Sequence, residues 1–461
     1  MLRALAFSLF LVACATDQTP KTPERAAPPA PPAKTSDAPA VEPSTEYLAV
    51  VDTALEQVAE ARALPAKERV KGAIIGREEL LERMKGEIFS QLEPELLEGS
   101  TEMLFALNTT RADFDYVKSL LALLGSQLAG FYDPREKKMY LLNDLGTSGE
   151  AATLFHELVH ALQDQHYVLE PRMKWRPGRG DEVTALQALA EGDATSAMID
   201  NMLAPQGQTA LDINESLITA GFGLMEAAPA LSEVPAILTR SLAAPYMDGL
   251  RFVHHLRRNG GWQAVDAAWT KTPTTTEQIL HPEKYLAGEG SVTLPLPPAP
   301  PGGPATVRYE DVFGEQGLRL VFEEWVPLST AAESATGWAG DRVAVFVEGE
   351  QRAVAIHVRF DDEVSAKRAL AAVARGAASP ELESTPDRGV ATRVPPEVGE
   401  RAVKSGRVCH ERPLRGPFAT VRKGRDLGVV LGPYRRGPGE PRSAGTCEHA
   451  LRWAASVTDS R

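Results

Sequence analysis

The residues best suited to chemistry in this chain form the motif His156-Glu-Leu-Val-His160, which has the pattern HExxH. Two histidines four residues apart on an α-helix lie about 40° apart around its axis, so both imidazoles can bind one metal ion. Glu157 lies beside them and can exchange a proton with a water molecule on that ion. The motif therefore predicts a site for one zinc ion and a hydrolase, with a peptide or protein as the expected substrate.

Catalytic zinc needs a third protein ligand and an open position for water, and Glu191 is the first candidate for that ligand. Glu191 lies in the small, apolar and strongly helical segment Ala185–Thr195, where a carboxylate without a partner is costly to bury. Asp181 is expected to be the N-cap of this helix. Gly192 weakens the helix, which a close approach to the HExxH helix would explain.

His166 is the second candidate, because its distance from His160 in sequence matches the last histidine of the pattern HExxHxxGxxH. The glycine that breaks the helix in that pattern is replaced here by Gln163. In a continuous helix His166 would point about 240° away from His160, too far round the axis to share one ion. We therefore expect Glu191 rather than His166 to be the third ligand.

The helix that carries the motif has its own start signal. Thr147-Ser-Gly-Glu150 is a capping box, so a helix is predicted from about Ser148 through His166. Asp164 lies one turn after the second histidine on this helix. Its carboxylate either orients a metal ligand through a hydrogen bond or is a solvated acid on an exposed face.

With these residues the chain resembles the gluzincin metallopeptidases, the thermolysin-like clan defined by HExxH and a downstream glutamate. The resemblance implies that His156, His160 and Glu191 bind zinc and that Glu157 is the general base. Many members also carry an acid four residues after the second histidine, as this chain does. The match covers the two site helices, about residues 125–205.

A wider resemblance, over about residues 46–345, is to a group of poorly characterised bacterial zincins and lipoproteins. It is carried by the segments GFYDP, TTEQILHPEKY and GWAGDR. Within it, Gly130–Leu142 is predicted to be a turn that leads into a strand. The resemblance suggests an edge strand that pairs with an extended substrate, and a hairpin that shields the core is the alternative.

A hydrolase of this kind also needs a donor that stabilises the oxyanion formed at the scissile carbonyl. His281 and Tyr246 are the candidates for this catalytic role. The alternative for His281 is that it holds a turn, because it precedes a proline.

The N-terminus indicates where the protein is located. Residues 1–14 begin with a short positive stretch, followed by the apolar run Leu5–Ala13, which is too short to span a bilayer. The end of the run, Leu11-Val-Ala-Cys14, resembles the bacterial lipobox, which implies cleavage before Cys14 and acylation of that residue. We therefore expect a lipid anchor that holds the protein on a bacterial membrane in the cell envelope, with an ordinary signal peptide as the alternative.

The remaining chain divides by composition into four parts. Residues 15–45 form a tether rich in Pro, Ala and Thr, and residues 290–304 form a second proline-rich linker. Between them, residues 46–289 are expected to be a mainly helical zincin catalytic domain with a small edge-strand sheet. Residues 305–461 alternate strand and helix patterns, so a C-terminal α+β domain follows and the fold class is α+β.

Cys409 and Cys447 remain once Cys14 is assigned to lipidation, and in an exported protein they are expected to form a disulfide. The alternative is a second metal site made by both cysteines with His410 and His449. No CxxC spacing supports that site, and neighbours on a strand point to opposite faces.

Composition excludes one class of partner and leaves others open. The net charge is −13, from 62 acidic and 49 basic residues, and no basic stripe interleaved with aromatics is present, so nucleic acid is not expected. Two alternatives to a peptidase are an inactive zincin that acts as an envelope scaffold and a zinc amidase that acts on cell-wall peptide. The sequence does not indicate an oligomeric state.

Overall fold

The computed structural model describes residues 45–91, 94–127, 130–143, 147–214, 234–302, 305–382, 394–437 and 439–460. The predicted signal peptide, the lipobox Cys14 and residues 15–44 of the tether lie outside these ranges. The helices are α1 Thr45–Arg62, α2 Arg77–Gln91, α3 Pro94–Ala106, α4 Tyr116–Gln127, α5 Thr147–Tyr167, α6 Leu169–Met173, α7 Gly180–Leu203, α8 Ala236–Thr270, α9 Thr276–Leu280, α10 Pro282–Ala287, α11 Gly314–Glu323, α12 Leu328–Ala335, α13 Glu363–Ala377, α14 Pro396–Ser405 and α15 Cys447–Asp459.

The strands form two sheets, and the predicted α+β fold class is confirmed. They are β1 Lys71–Ile75, β2 Gly130–Asp133, β3 Lys138–Leu142, β4 Thr306–Asp311, β5 Trp338–Glu348, β6 Gln351–Phe360, β7 Arg407–His410, β8 Phe418–Lys423, β9 Asp426–Arg435 and β10 Arg442–Ser443. The small sheet has the order β1-β3-β2 and the large sheet the order β4-β5-β6-β9-β8-β7, with β10 paired to β9. Every pair in the large sheet is antiparallel.

The HExxH helix, α5, is buried on the side that carries its apolar residues. Leu158, Val159 and Leu162 are fully buried in a cluster with side chains of α1 and of the small sheet. Burial of this apolar side stabilises α5 in one orientation and turns the opposite side toward α7. The side chains of the predicted capping box lie outside the described residues, and the helix limits agree with the prediction to about one residue.

Helix α7, which carries Glu191, is buried on nearly all sides. Its N-cap is Arg179, so the expectation that Asp181 caps the helix was wrong. The Asp181 carboxylate instead accepts hydrogen bonds from the backbone N–H and the hydroxyl of Thr276, at 3.2 and 2.6 Å. This contact ties the first turn of α7 to α9.

The C-terminal segment holds two of the site helices in place. Asp311, at the end of β4, accepts a 2.7 Å hydrogen bond from the backbone N–H of Gly180 at the start of α7. Asp248 on α8 is buried and accepts hydrogen bonds from Gln316 and Arg319 of α11, each at 2.7 Å. Charge-assisted bonds of this kind are worth about 1.5–3 kcal/mol each.

One hydrophobic core runs from helices α2–α4 into the large C-terminal sheet. Helix α3 lies so close to β4 that a Cβ added at Gly99 would be 2.2 Å from the Cβ of Tyr309. Arg412 and Arg415 are buried and donate to backbone carbonyl groups at the end of α3, at 2.8 and 2.9 Å. The helical segment and the C-terminal segment therefore share one core.

A disulfide joins Cys409 in β7 to Cys447 at the start of α15, with Cα atoms 5.8 Å apart. Both sulfur atoms are used in this bond, which leaves no thiolate for the alternative metal site with His410 and His449. Among the residues described, no helix is long and apolar enough to cross a membrane.

Replacing Cys409 and Cys447 together by alanine is expected to lower the free energy of unfolding by about 3–4 kcal/mol. The reason is that the bond closes a loop with a sequence separation of 38, which restricts the unfolded chain. Urea titrations of wild type and double variant measure the difference. A reductant should destabilise the wild type by the same amount and leave the variant unchanged. Equal stability of the two proteins would contradict the prediction.

Candidate metal centre

Three side chains from two helices meet at one buried point. His156 and His160 on α5 and Glu191 on α7 are each at most 1% exposed. The Nε2 atoms of the two histidines are 3.0 Å apart, and they lie 3.1 and 3.4 Å from Oε2 of Glu191. The structure thus brings together the three residues for which the sequence suggested a shared ion.

The triangle formed by these three donor atoms fits a zinc ion. In a tetrahedral site with metal–ligand bonds of about 2.0–2.1 Å, neighbouring ligand atoms are about 3.3 Å apart. The observed separations of 3.0, 3.1 and 3.4 Å are close to that value. Two imidazoles and one carboxylate also match the donor set of catalytic zinc sites that keep a fourth position for water.

Glu157 is held beside this triangle by the edge of the small sheet. Its Oε2 accepts a 2.8 Å hydrogen bond from the backbone N–H of Tyr132 in β2. Its Oε1 is buried and has no hydrogen-bond partner among the described residues. One oxygen therefore fixes the side chain, and the other is left to interact with a water molecule or a proton.

Burial controls the protonation of the four groups. It lowers the pKa of His156 to about 4 and that of His160 to about 3, so both imidazoles are neutral near pH 7. Burial also raises the pKa of Glu157 well above its usual value, helped by the charge of Glu191, and it raises the pKa of Glu191. No ion pair joins either carboxyl to an arginine or lysine within the described ranges, and a divalent cation could balance their charge.

A residue that sequence analysis missed contacts His160. Nδ1 of His160 lies 2.8 Å from Oε1 of Gln163, and Nε2 of Gln163 donates to the carbonyl oxygen of Ala190 at 3.0 Å. The spacing of three residues on one helix was a signal that the sequence offered. Gln163 was noted there only as the residue that replaces a glycine.

Asp164 lies in neither of the two environments that the sequence suggested, next to a metal ligand or on a solvated face. It is buried, so the prediction of a solvated surface acid was wrong. Its carboxylate accepts hydrogen bonds from the Tyr132 hydroxyl at 3.1 Å and from the backbone N–H of Leu169 at 2.9 Å. Asp164 thus joins β2 to the end of α5, and its carboxylate bonds to these two groups rather than to a histidine of the centre.

Tyr246 on α8 completes the wall of the site. Its ring lies over that of His156, with centroids 5.9 Å apart and planes 25° apart. Burial raises the pKa of Glu191, and the nearby hydroxyl of Tyr246 opposes part of that shift. The phenol is therefore close to the centre, and its role as a donor stays a prediction.

Two glycines allow α7 and α8 to approach closely enough for this arrangement. A Cβ added at Gly192 would lie 2.1 Å from the carbonyl group of Gly249, and one added at Gly249 would lie 1.8 Å from the carbonyl oxygen of Ala188. The sequence correctly indicated a close approach at Gly192. The expected partner was wrong, because the neighbour is α8 and not the HExxH helix.

Gly249→Ala is expected to lower the free energy of unfolding by about 1–3 kcal/mol and to weaken metal binding, because its methyl group would push α7 and α8 apart. The matched control is Gly86→Ala, where an added Cβ meets nothing within 4 Å. That change should stabilise α2 by about 0.5–1 kcal/mol. Urea denaturation and metal titration measure the stability and the metal affinity of both variants. Equal stability and equal metal affinity would show that the contact between α7 and α8 is not critical.

The two other histidines considered from the sequence lie in other contacts. Nε2 of His281 is 2.9 Å from Oε1 of Glu315 in α11. This contact joins the end of α9 to α11. Nε2 of His166 is 2.8 Å from the carbonyl oxygen of Pro65. Neither belongs to the three-residue metal cluster.

A second group of carboxylates, Glu277, Glu289 and Asp361, is also close enough to share a cation. The cation at its centre is the ammonium group of Lys284, which lies 2.7, 2.8 and 2.8 Å from the three carboxylates. This cluster therefore forms an ion-pair network that links α9 and α10 to the C-terminal segment.

The comparisons with known proteins bear only on the C-terminal segment. A family model described as a domain of unknown function (DUF8575) matches residues 305–437. The match spans the strands of the large sheet from β4 to β9 and stops before the last helix. No curated protein and no solved structure matches the chain.

Proposed function

We propose that the protein is a zinc-dependent metallopeptidase of the gluzincin type. The observation that carries this proposal is the triangle of donor atoms from His156, His160 and Glu191, with the carboxylate of Glu157 beside it. Within this proposal the two histidines and Glu191 hold one zinc ion. When bound there, zinc would act as a Lewis acid that lowers the pKa of a water molecule to about 7.

The side chains around the ion have separate roles in proton transfer and in stabilising negative charge. Glu157 takes a proton from the attacking water at its free oxygen and passes it to the leaving amine. The hydrogen bond from Tyr132 keeps the other oxygen, and therefore the whole carboxylate, in one position. Tyr246 supplies the O–H donor that stabilises negative charge on the scissile carbonyl oxygen.

Strand β2 is the candidate guide for an extended substrate. It lies at the edge of the small sheet and pairs with β3 as a hairpin, and its pairing with a substrate is part of this proposal. The backbone of β2 contacts the general base directly through Tyr132. A peptide added along this edge would place its bonds next to Glu157.

A pure binding scaffold is the less favoured alternative. Glu157 is fully buried, and burying a carboxyl without a cationic partner costs stability. A scaffold gains nothing from that cost, whereas a hydrolase needs the group. Lipid anchoring through Cys14 and a location in the bacterial cell envelope are part of the same proposal.

The experiment is to purify the full-length protein, measure bound metal, and follow hydrolysis of an unfolded protein and of isolated cell-wall peptide. One zinc per chain with cleavage of the unfolded protein, abolished by a chelator and restored by zinc, supports the peptidase. Cleavage of cell-wall peptide alone would indicate an amidase. Bound zinc without any cleavage would favour the scaffold, and absence of bound metal would contradict the proposed centre.

A further inference from the structure

We infer that Gln163 is a positioning residue that holds His160 in the Nδ1–H tautomer, with its Nε2 lone pair directed at the metal position. The inference rests on the proposed zinc centre and concerns hydrogen bonds outside its three ligands. It starts from the 2.8 Å contact between Nδ1 of His160 and Oε1 of Gln163. An oxygen in that position can only accept, so the proton must be on Nδ1.

The orientation of the Gln163 amide is fixed independently of the histidine. Its Nε2 lies 3.0 Å from the carbonyl oxygen of Ala190 and 3.1 Å from Oδ2 of Asp193. Both partners are acceptors, so the NH₂ group must face them and the amide oxygen must face His160. A flipped amide would lose both bonds and set its oxygen against two acceptor oxygens, those of Ala190 and Asp193.

Asp193 is itself held by two further donors. Trp269 donates its indole N–H to Oδ2 of Asp193 at 2.8 Å, and Arg62 donates to Oδ1. Arg62 is fully buried and also pairs with Asp266 at 2.7 Å. The charge of Asp193 is therefore balanced, and its carboxylate cannot turn away from Gln163 without losing its hydrogen bonds from Arg62 and Trp269.

This chain of bonds makes α1 part of the metal centre's support. Arg62 is the last residue of α1. From there the bonds pass through Asp193 on α7 and Gln163 on α5 to His160. Partners beyond the ligands of a zinc site set ring orientation and basicity, and their loss costs about 10–100-fold in metal affinity.

The test compares Gln163→Leu with Gln165→Leu in the full-length protein. Gln165 has the same side chain on the same helix, but its amide bonds to the backbone of Lys67 and Glu68. Zinc affinity, measured by competition with a chromophoric chelator, is expected to fall about 10–100-fold for Gln163→Leu and to stay unchanged for Gln165→Leu.

A second readout separates positioning from general damage. Histidine-selective ¹⁵N NMR of the zinc-free wild type at neutral pH should show His160 protonated at Nδ1, and Gln163→Leu should shift it toward the Nε2–H form. An Nε2–H signal in the wild type would overturn the inference even if the variant fails to fold. Equal zinc affinity of wild type and Gln163→Leu would also overturn it. Failure of the wild type to bind zinc would instead count against the proposed function.

Discussion

Glu157→Gln is expected to leave zinc bound and to reduce peptide hydrolysis by at least about 10²–10⁴-fold, the usual contribution of a general base. The amide oxygen of glutamine can still accept the 2.8 Å hydrogen bond from the backbone N–H of Tyr132, so the side chain keeps its place. The NH₂ group then stands where the free carboxylate oxygen was. It cannot accept a proton from water.

The measurement is the rate of cleavage of an unfolded protein by wild type and Glu157→Gln, with zinc content determined on both. Glu170→Gln is the matched control, because Glu170 is an exposed glutamate on α6. It should behave as wild type. Full activity of Glu157→Gln would contradict the assignment of Glu157 as the base, whatever its zinc content.

Glu191→Ala is expected to weaken zinc binding by roughly a hundredfold or more, because one of the three protein ligands is lost. Zinc sites with four protein ligands bind with about 10–16 kcal/mol, so each ligand accounts for a few kcal/mol. His166→Ala is the control that separates the two patterns considered for the third ligand. Its imidazole contacts the carbonyl oxygen of Pro65, so zinc affinity should be unchanged.

Metal titration of the two variants decides between Glu191 and His166. Loss of binding with His166→Ala and not with Glu191→Ala would indicate the HExxHxxGxxH arrangement and would require a rearranged helix. Loss with neither would mean that the ion is held elsewhere. Circular dichroism of Glu191→Ala should show unchanged helix content, since alanine is the best helix former and the neighbouring residues are already small.

Local patterns in the sequence were sufficient to predict the elements that carry the candidate site. The two histidines and Glu157 followed from helical spacing, and Glu191 followed from the cost of burying a lone carboxylate in an apolar helix. The strand and helix patterns of residues 305–461 indicated the α+β segment. Strands β5 and β6 are nevertheless buried almost throughout rather than on alternate residues, because apolar clusters cover both faces of the sheet.

Contacts between distant parts of the chain were not predictable in this way. The partner of Asp164 is Tyr132, which lies on a strand before α5, and the partner of Asp181 is Thr276. Periodicity identifies which face of an element is buried and carries no information on which element covers it. The same limit explains why Gly192 was assigned the wrong neighbouring helix.

The core shared by the helical segment and the C-terminal segment could not be predicted for the same reason. Proline-rich composition placed a boundary near residues 290–304, and the matched family begins at residue 305. The packing of α3 on the large sheet depends on shape complementarity, as between Gly99 and Tyr309. Composition alone therefore predicted a boundary in sequence and did not show that the segments on either side share their interior.

The bonds from Asp311 to Gly180 and from Asp248 to Arg319 have a consequence for the order of events during synthesis. Chains grow at about 5–20 residues per second, so Arg319 is made roughly 6–26 seconds after Glu191. Until then the helices of Glu191 and Tyr246 lack the partners that hold them. In the proposed function the metal site is therefore completed only after the C-terminal segment has been made, and the compartment in which the finished chain folds determines which metal it meets.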